Sequence, residues 1–309
     1  MIPFASDHGK RTCRLYIPVR PVKGTSRPTG LPLVIMLHGC GQSADDFAAG
    51  SGMNRLADEM GFVVAYPAQP RDANRNKCWN WFRPGDQGRD AGEPALIADI
   101  ARQIMQAHAI DPARVYIAGL SAGGAAALTI ATAYPDLFAA VGVHSGLPVG
   151  AAHDGISAMP AMRVGSAGQR LSVAMPTIVF HGADDTVVNP RNGRAVAARS
   201  AAAFDRLAEV VKPGKAANGH RYRRTSHRAQ NGKSYCKSYC EHWVVEGSGH
   251  GWSGGLRGGS FTDPKGPDAS RAMLRFFRQH RISAARPAPQ QPSTEFSGSL
   301  HPSDASGER

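Results

Sequence analysis

Four apolar runs punctuate the chain: Leu33–Leu37, Phe62–Tyr66, Val115–Ala118 and Pro176–His181. None alternates with polar residues, which is the pattern of strands buried on both faces of a parallel sheet. Between them lie stretches with helical spacing. Glu93–His108 places Leu96, Ile97, Ile100, Ile104 and Met105 on one face, and Asn54–Met60, the Ala-rich run 125–133 and a stretch near Gly193–Leu207 also read as helices. Asp268–His280 closes the series with Ala272, Met273, Phe276 and Phe277 on one face. Shorter strands are predicted at Thr12–Val19, Phe138–His144 and Glu241–Val245, and loops at 21–32, 68–92 and 150–172. Strands alternating with helices predict an α/β fold, a doubly wound and mainly parallel sheet with helices on both faces. Residues 1–11 read as a lead-in, 12–281 as the domain, and 282–309, rich in Pro and Ser, as a disordered tail.

The strand at Val115 runs into Gly119-Leu-Ser121-Ala-Gly123 and then into the Ala-rich helix. Alone, G-x-S-x-G is also compatible with a helix N-cap serine. Between a strand and a helix it describes a sharp turn that lifts the Ser121 hydroxyl clear of the sheet, with Gly119 and Gly123 keeping the crossing thin. Ligands of open parallel sheets bind beyond the carboxyl ends of the strands. Those ends carry His38-Gly39-Cys40, Ser121, Asp184-Asp185 and His250. Ser121, Asp185 and His250 stand in the order of the α/β-hydrolase triad, separated by 64 and 65 residues.

Each residue type has a reason. A serine hydroxyl needs a neutral imidazole, here His250, to take its proton, and a carboxylate must fix that imidazole's tautomer. Gly182-x-x-Asp185-x-x-Val188 has the shape of an acid loop, which favours Asp185 over Asp184; His181 reads as a core residue. The backbone N–H groups of Ala122 and Cys40, with Gly41 beside it, are the expected oxyanion donors. Trp79, Trp81 and Trp252 are candidates for an apolar substrate platform.

Charge and cysteine content change this picture little. The 36 Lys and Arg exceed the 24 Asp and Glu, a formal charge of +12, and eight of the cations fall between Arg206 and Lys233. Pro213-Gly214, Asn218-Gly219 and Asn231-Gly232 make that segment read as a solvated basic loop. No nucleic-acid motif accompanies it, and no partner of that kind is expected. No run is long enough to span a membrane. The first eleven residues have no apolar core of a secretory signal. Cys236-x3-Cys240 lacks a second ligand pair, so neither metal nor cofactor is expected. Cys40 and Cys78 both fall in loops near the site, which leaves open a bridge between them; such a bridge would imply an oxidising compartment.

Leu37-His-Gly-Cys-Gly-Gln-Ser43, Cys78-Trp-Asn-Trp-Phe82, Gly119-Leu-Ser-Ala-Gly-Gly124, Gly142-Val-His-Ser-Gly146, Phe180-His-Gly182 and Gly249-His-Gly-Trp-Ser-Gly-Gly255 together resemble the poly(3-hydroxybutyrate) depolymerase family of esterases. Phe261–Ser270 fits the same pattern. The resemblance implies an α/β-hydrolase fold and hydrolysis of carboxylic esters, with Ser121, Asp185 and His250 as nucleophile, acid and base. It also implies an extracellular setting. The broader group includes feruloyl and acetylxylan esterases, which supply the rival substrate class. Without a visible linker and binding domain, short oligomers or small soluble esters are the expected substrates. A non-catalytic hydrolase-fold binding protein is the alternative from another class, but it has no need for all three triad residues.

Overall fold

The computed structural model describes residues 1–19, 30–217, 219–231 and 234–282. All of the expected tail but Ile282 lies outside the described residues, as do most of the predicted loop at 21–32 and the side chain of Cys236. Six parallel strands form the middle of a ten-stranded sheet. They are β3 (Leu31–Leu37), β4 (Val63–Pro67), β5 (Ile110–Leu120), β6 (Ala140–His144), β7 (Thr177–Gly182) and β10 (Ser234–Val245). Their spatial order is β4-β3-β5-β6-β7-β10.

The period of two along each strand feeds two cores. Leu33, Ile35 and Leu37 point to one side with Val115, Ile117, Val141 and Val179; Val34 and Met36 point to the other with Tyr116, Ile178 and Phe180. The first side is covered by α3 (Gly92–Ala107), α4 (Ala122–Ala133) and α6 (Arg191–Ala202), the second by α1 (Ala44–Ser51), α2 (Met53–Met60) and α7 (Ala269–Phe277). The α/β/α layering predicted from the alternation of runs is therefore present.

Both flanks of the sheet hold more structure than the sequence suggested. Residues 1–11 are not a lead-in: β1 (Ile2–Ser6) and β2 (Gly9–Tyr16) form an antiparallel hairpin, and β2 pairs antiparallel with β4. Asp7 and His8 make the two-residue turn between them. On the opposite flank the basic segment is not a loop. Strands β8 (Leu207–Lys215) and β9 (Arg221–Asn231) pair antiparallel and continue the sheet from β10. Pro213 and Gly214 are accommodated because β8 is the outermost strand, where a missing N–H costs no ladder bond on the open side. The stretch 150–172 also contains a helix, α5 (Gly155–Val164), started by a capping box between Asp154 and Ser157. Asp111 and Pro112 lie inside β5.

Candidate active site

The strand register brings the chemistry-bearing ends to one level. Leu37 pairs with Gly119, Leu120 with His144, His144 with Phe180, and Val245 with Gly182. Ser121 follows β5 with φ 58° and ψ −121°, a backbone conformation that non-glycine residues rarely adopt. Its N–H donates to His144 O at 2.8 Å, which fixes the turn from the neighbouring strand. The glycines on either side have no room for a side chain. A Cβ on Gly119 would lie 2.3 Å from Gly123 O, and one on Gly123 would lie 2.2 Å from Leu37 O. Helix α4 is buried all round and begins at Ala122, so its free N–H groups open onto the space beside Ser121.

Asp185 and His250 meet as the order of residues implied. His250 Nδ1 lies 2.7 Å from Asp185 Oδ2. Asp185 Oδ1 accepts from the N–H groups of Val187 (2.9 Å) and Val188 (2.8 Å). Burial opposes ionisation of Asp185, but hydrogen bonding by His181 and His250 and the Val188 N–H hold its carboxyl far below the usual range. An ionised Asp185 accepts, so His250 carries its proton on Nδ1 and leaves Nε2 a free lone pair. Asp184 is exposed, and its N–H donates to Ser248 O. Among the described residues, Ser121 Oγ makes no hydrogen bond. Catalytic contacts of this kind commonly tighten only once substrate is present.

The loop after β3 is held from several directions. Gln42 Oε1 accepts from Gly39 N–H at 2.9 Å, while Gln42 Nε2 donates to Asp46 and to Ser260 O. Cys40 is joined to Cys78 by a disulfide, and Gly41 N–H donates to Asn76 O. Within the described residues no hydrogen bond occupies the N–H of Cys40 or of Ala122. Both are free to meet an oxygen.

Two of the three tryptophans expected to line a substrate platform are elsewhere. Trp79 is fully buried, with Nε1 donating to His38 O, so it supports the Cys40 loop from below. Trp252 is buried between Phe47 and His144, with Nε1 donating to Ser270 Oγ. A large ring flanked by loop glycines reads the same in sequence whether it faces solvent or core. Trp81, edge-on to Phe82, retains 6% exposure and is the one of the three with access to solvent.

Other residues support the site; of these only His181 has an individual reading in the sequence, as a core residue, and it is buried. His144 is fully buried: Nε2 accepts from Ser253 N–H at 2.9 Å, and its ring stacks against Phe180 and Trp252. Burial, and then the nearby His181 and His250, push its pKa down to about 3, so it is a neutral strut for the chain just past His250. His181 Nε2 lies 2.8 Å from Val188 O and 3.4 Å from Asp185 Oδ2, backing the acid. Glu93, at the start of α3, accepts from Asn80 and Gln69 below the Cys40–Cys78 loops. A Glu at a helix start also serves as an ordinary N-terminal charge, so only the fold reveals its partners.

Residues 14–225, more than half of the chain, match the family model described as Esterase PHB depolymerase. The chain belongs to this family. Within the PHB depolymerase esterases and their relatives, it is 42% identical over 138 residues to poly(3-hydroxyalkanoate) depolymerase C of Paucimonas lemoignei, covering 45% of this chain and 33% of that protein. It is 31% identical over 183 residues to feruloyl esterase B of Thermothelomyces thermophilus, covering 53% and 62%. The alignments thus span less than two thirds of either relative. Among solved structures, acetyl xylan esterase from Aspergillus awamori superimposes with a TM-score of 0.63 at 18% identity, over 86% of this chain and 93% of that one. At that identity the likeness speaks for the α/β-hydrolase fold alone.

Proposed function

We propose that this chain is a serine carboxylesterase working through an acyl-enzyme, with Ser121 as nucleophile, His250 as base and Asp185 as the acid that orients it. The observation that carries the reading is the His250–Asp185 hydrogen bond of 2.7 Å at the same end of the sheet as a serine on a strained strand-to-helix turn. His250 Nε2 takes the Ser121 proton as Oγ attacks the ester carbonyl. The oxygen of the tetrahedral intermediate is received by the N–H groups of Cys40 and Ala122. Protonated His250 then delivers its proton to the leaving alkoxide. Water repeats the sequence on the acyl-enzyme and releases the acid.

For the substrate we propose small or oligomeric esters of the 3-hydroxyalkanoate type. Support comes from the 42% identity to a protein named for poly(3-hydroxyalkanoate). The feruloyl esterase likeness makes aryl and acetyl esters of plant polysaccharide the competing class. Trp81 is the aromatic we place nearest to the acyl group. The Cys40–Cys78 bridge supports an extracellular or otherwise oxidising setting.

A substrate panel tests this. Purified protein is assayed on 3-hydroxybutyrate dimers and trimers, methyl ferulate and acetylated xylan, beside Ser121→Ala. The reading expects Ser121-dependent release of 3-hydroxybutyrate. Hydrolysis confined to methyl ferulate or acetylated xylan would overturn the substrate class, and turnover unchanged in Ser121→Ala would overturn the mechanism.

A further inference from the structure

Beneath the Cys40 loop lies a buried carboxylate that the proposed mechanism does not use. Glu93 is 5% exposed. Its Oε2 accepts from Asn80 N–H at 2.8 Å, and its Oε1 accepts from Asn80 Nδ2 at 2.9 Å and from Gln69 Nε2. The two donor residues lead directly to the loop after β3. Gln69 N–H donates to His38 Nε2 at 3.0 Å, which puts the His38 proton on Nδ1, where it meets Gly39 O at 2.8 Å. Gln69 Nε2 also donates to Cys78 O, next to the disulfide to Cys40. Asn80 follows Trp79, whose indole N–H holds His38 O. The routes through Gln69 and Trp79 end at the backbone just before the Cys40 N–H and at Cys78, its disulfide partner.

We propose that Glu93 is a positioning residue for the oxyanion loop: its ionised carboxylate, through Gln69 and Asn80, aligns the Cys40 N–H with the oxygen of the tetrahedral intermediate. The proposal rests on the serine-esterase reading above. Three N–H groups converge on one carboxyl, so protonation sets an O–H among donors and removes an acceptor. The loop then loses the anchor that fixes Gln69, and with it the N–H that selects the His38 tautomer.

The groups facing Glu93 are few. From β2, the Arg11 guanidinium stands 3.7 Å away and favours the ionised form. From the turn Pro84–Asp86, Asp86 opposes it, while also accepting from the Glu93 N–H. From the loop come only the neutral amides of Gln69 and Asn80. Burial is the largest influence and brings the Glu93 pKa up to about 7. The positioning is therefore engaged above neutrality and released below it.

The experiment compares wild type, Ser121→Ala and Glu93→Gln on p-nitrophenyl butyrate from about pH 5.5 to about pH 8.5, with a melting temperature at each pH. Taking the wild-type to Glu93→Gln ratio cancels every pH effect that the two proteins share. The expected ratio of kcat is about 10- to 100-fold at about pH 8.5, less than the roughly 100- to 1,000-fold for removing an oxyanion donor because the Cys40 N–H is only displaced, with KM changed by less than about twofold. The ratio falls toward one at about pH 5.5, where wild-type Glu93 is itself protonated. The variant melts no lower than wild type at about pH 8.5, since it no longer buries a charge. A ratio near one throughout, or a loss equal at every pH with a lowered melting temperature, would overturn the proposal. Should Glu93→Gln fail to fold, Arg11→Gln leaves the loop's hydrogen bonds in place. It is expected to raise the pH at which wild-type activity falls by about 0.5–1 unit, and no movement would overturn the proposal. If wild-type turnover does not depend on Ser121, it is the esterase reading that has failed.

Discussion

Buried histidines carry much of the site's structure and set an acid limit on the fold. His144 and His242 are both held neutral, their pKa values pushed down to about 3 chiefly by burial. Unfolded, each titrates near 6.5. Below that pH the unfolded chain binds protons that the fold refuses, so stability present above about 6.5 is lost as pH falls toward about 3, at about 1.4 kcal/mol per unit for each group. Glu93 runs the other way between its ordinary 4.5 and about 7, because the fold retains its proton there. Burial lowers His38 and His227 as well, so four histidines stand against this one carboxyl and the net effect is a decline. The expected result is a melting temperature that drops steadily from about pH 6.5 to about pH 4.5 and faster below. A flat profile over that range would contradict these assignments. At this scale the turn at Ser121 and the meeting of Asp185 with His250 were legible in the sequence, because their backbone contexts are tied to turn geometry. His144, Trp79 and Trp252 were not legible as supports: burial depends on which elements pack over a residue, and the residue's own neighbours in sequence do not say.

Among the elements, the buried strands and the long helices could be read directly, since continuous apolar runs and a 3.6 period reflect burial on two faces and on one. The flanking hairpins were less visible. In β9 the residues are largely polar, β8 carries Pro213-Gly214, and the dipeptides Asn218-Gly219 and Asn231-Gly232 are as suited in sequence to hairpin turns as to an irregular loop. Gly219 donates to Ala216 O in the connection between those strands. Tyr222 anchors the hairpin by packing on Trp243, and its ring lies where a side chain at position 214 would have to be. The disulfide couples two further elements, the loop after β3 and the aromatic loop at 78–82, across 38 positions of sequence. Closing a loop of that length constrains the unfolded chain by about 3–4 kcal/mol. The double change Cys40→Ser and Cys78→Ser is expected to lower stability by up to that amount in denaturant titration, and to lower kcat on p-nitrophenyl butyrate more than it raises KM. Unchanged values of both would mean that the hydrogen bonds of Gln42, Gln69 and Glu93 position the loop unaided.

The described residues are built around one ten-stranded sheet whose parallel middle presents its strand ends together and whose antiparallel flanks extend it at both edges. Membership of the Esterase PHB depolymerase family and the superposition on an acetyl xylan esterase agree with that architecture. Among the described residues no helix is long and apolar enough to cross a membrane. In the proposed mechanism three positions, far apart in sequence, act as a unit, which can be tested without knowing the natural ester. The protein is treated with a fluorophosphonate and the labelled residue is identified by peptide mass spectrometry, in wild type, Ser121→Ala, Asp185→Asn and Asp184→Asn. A single phosphonyl adduct on Ser121 is expected, absent in Ser121→Ala, formed about a thousandfold or more slower in Asp185→Asn, and at nearly the wild-type rate in Asp184→Asn. Labelling elsewhere, or a rate indifferent to Asp185, would contradict the account.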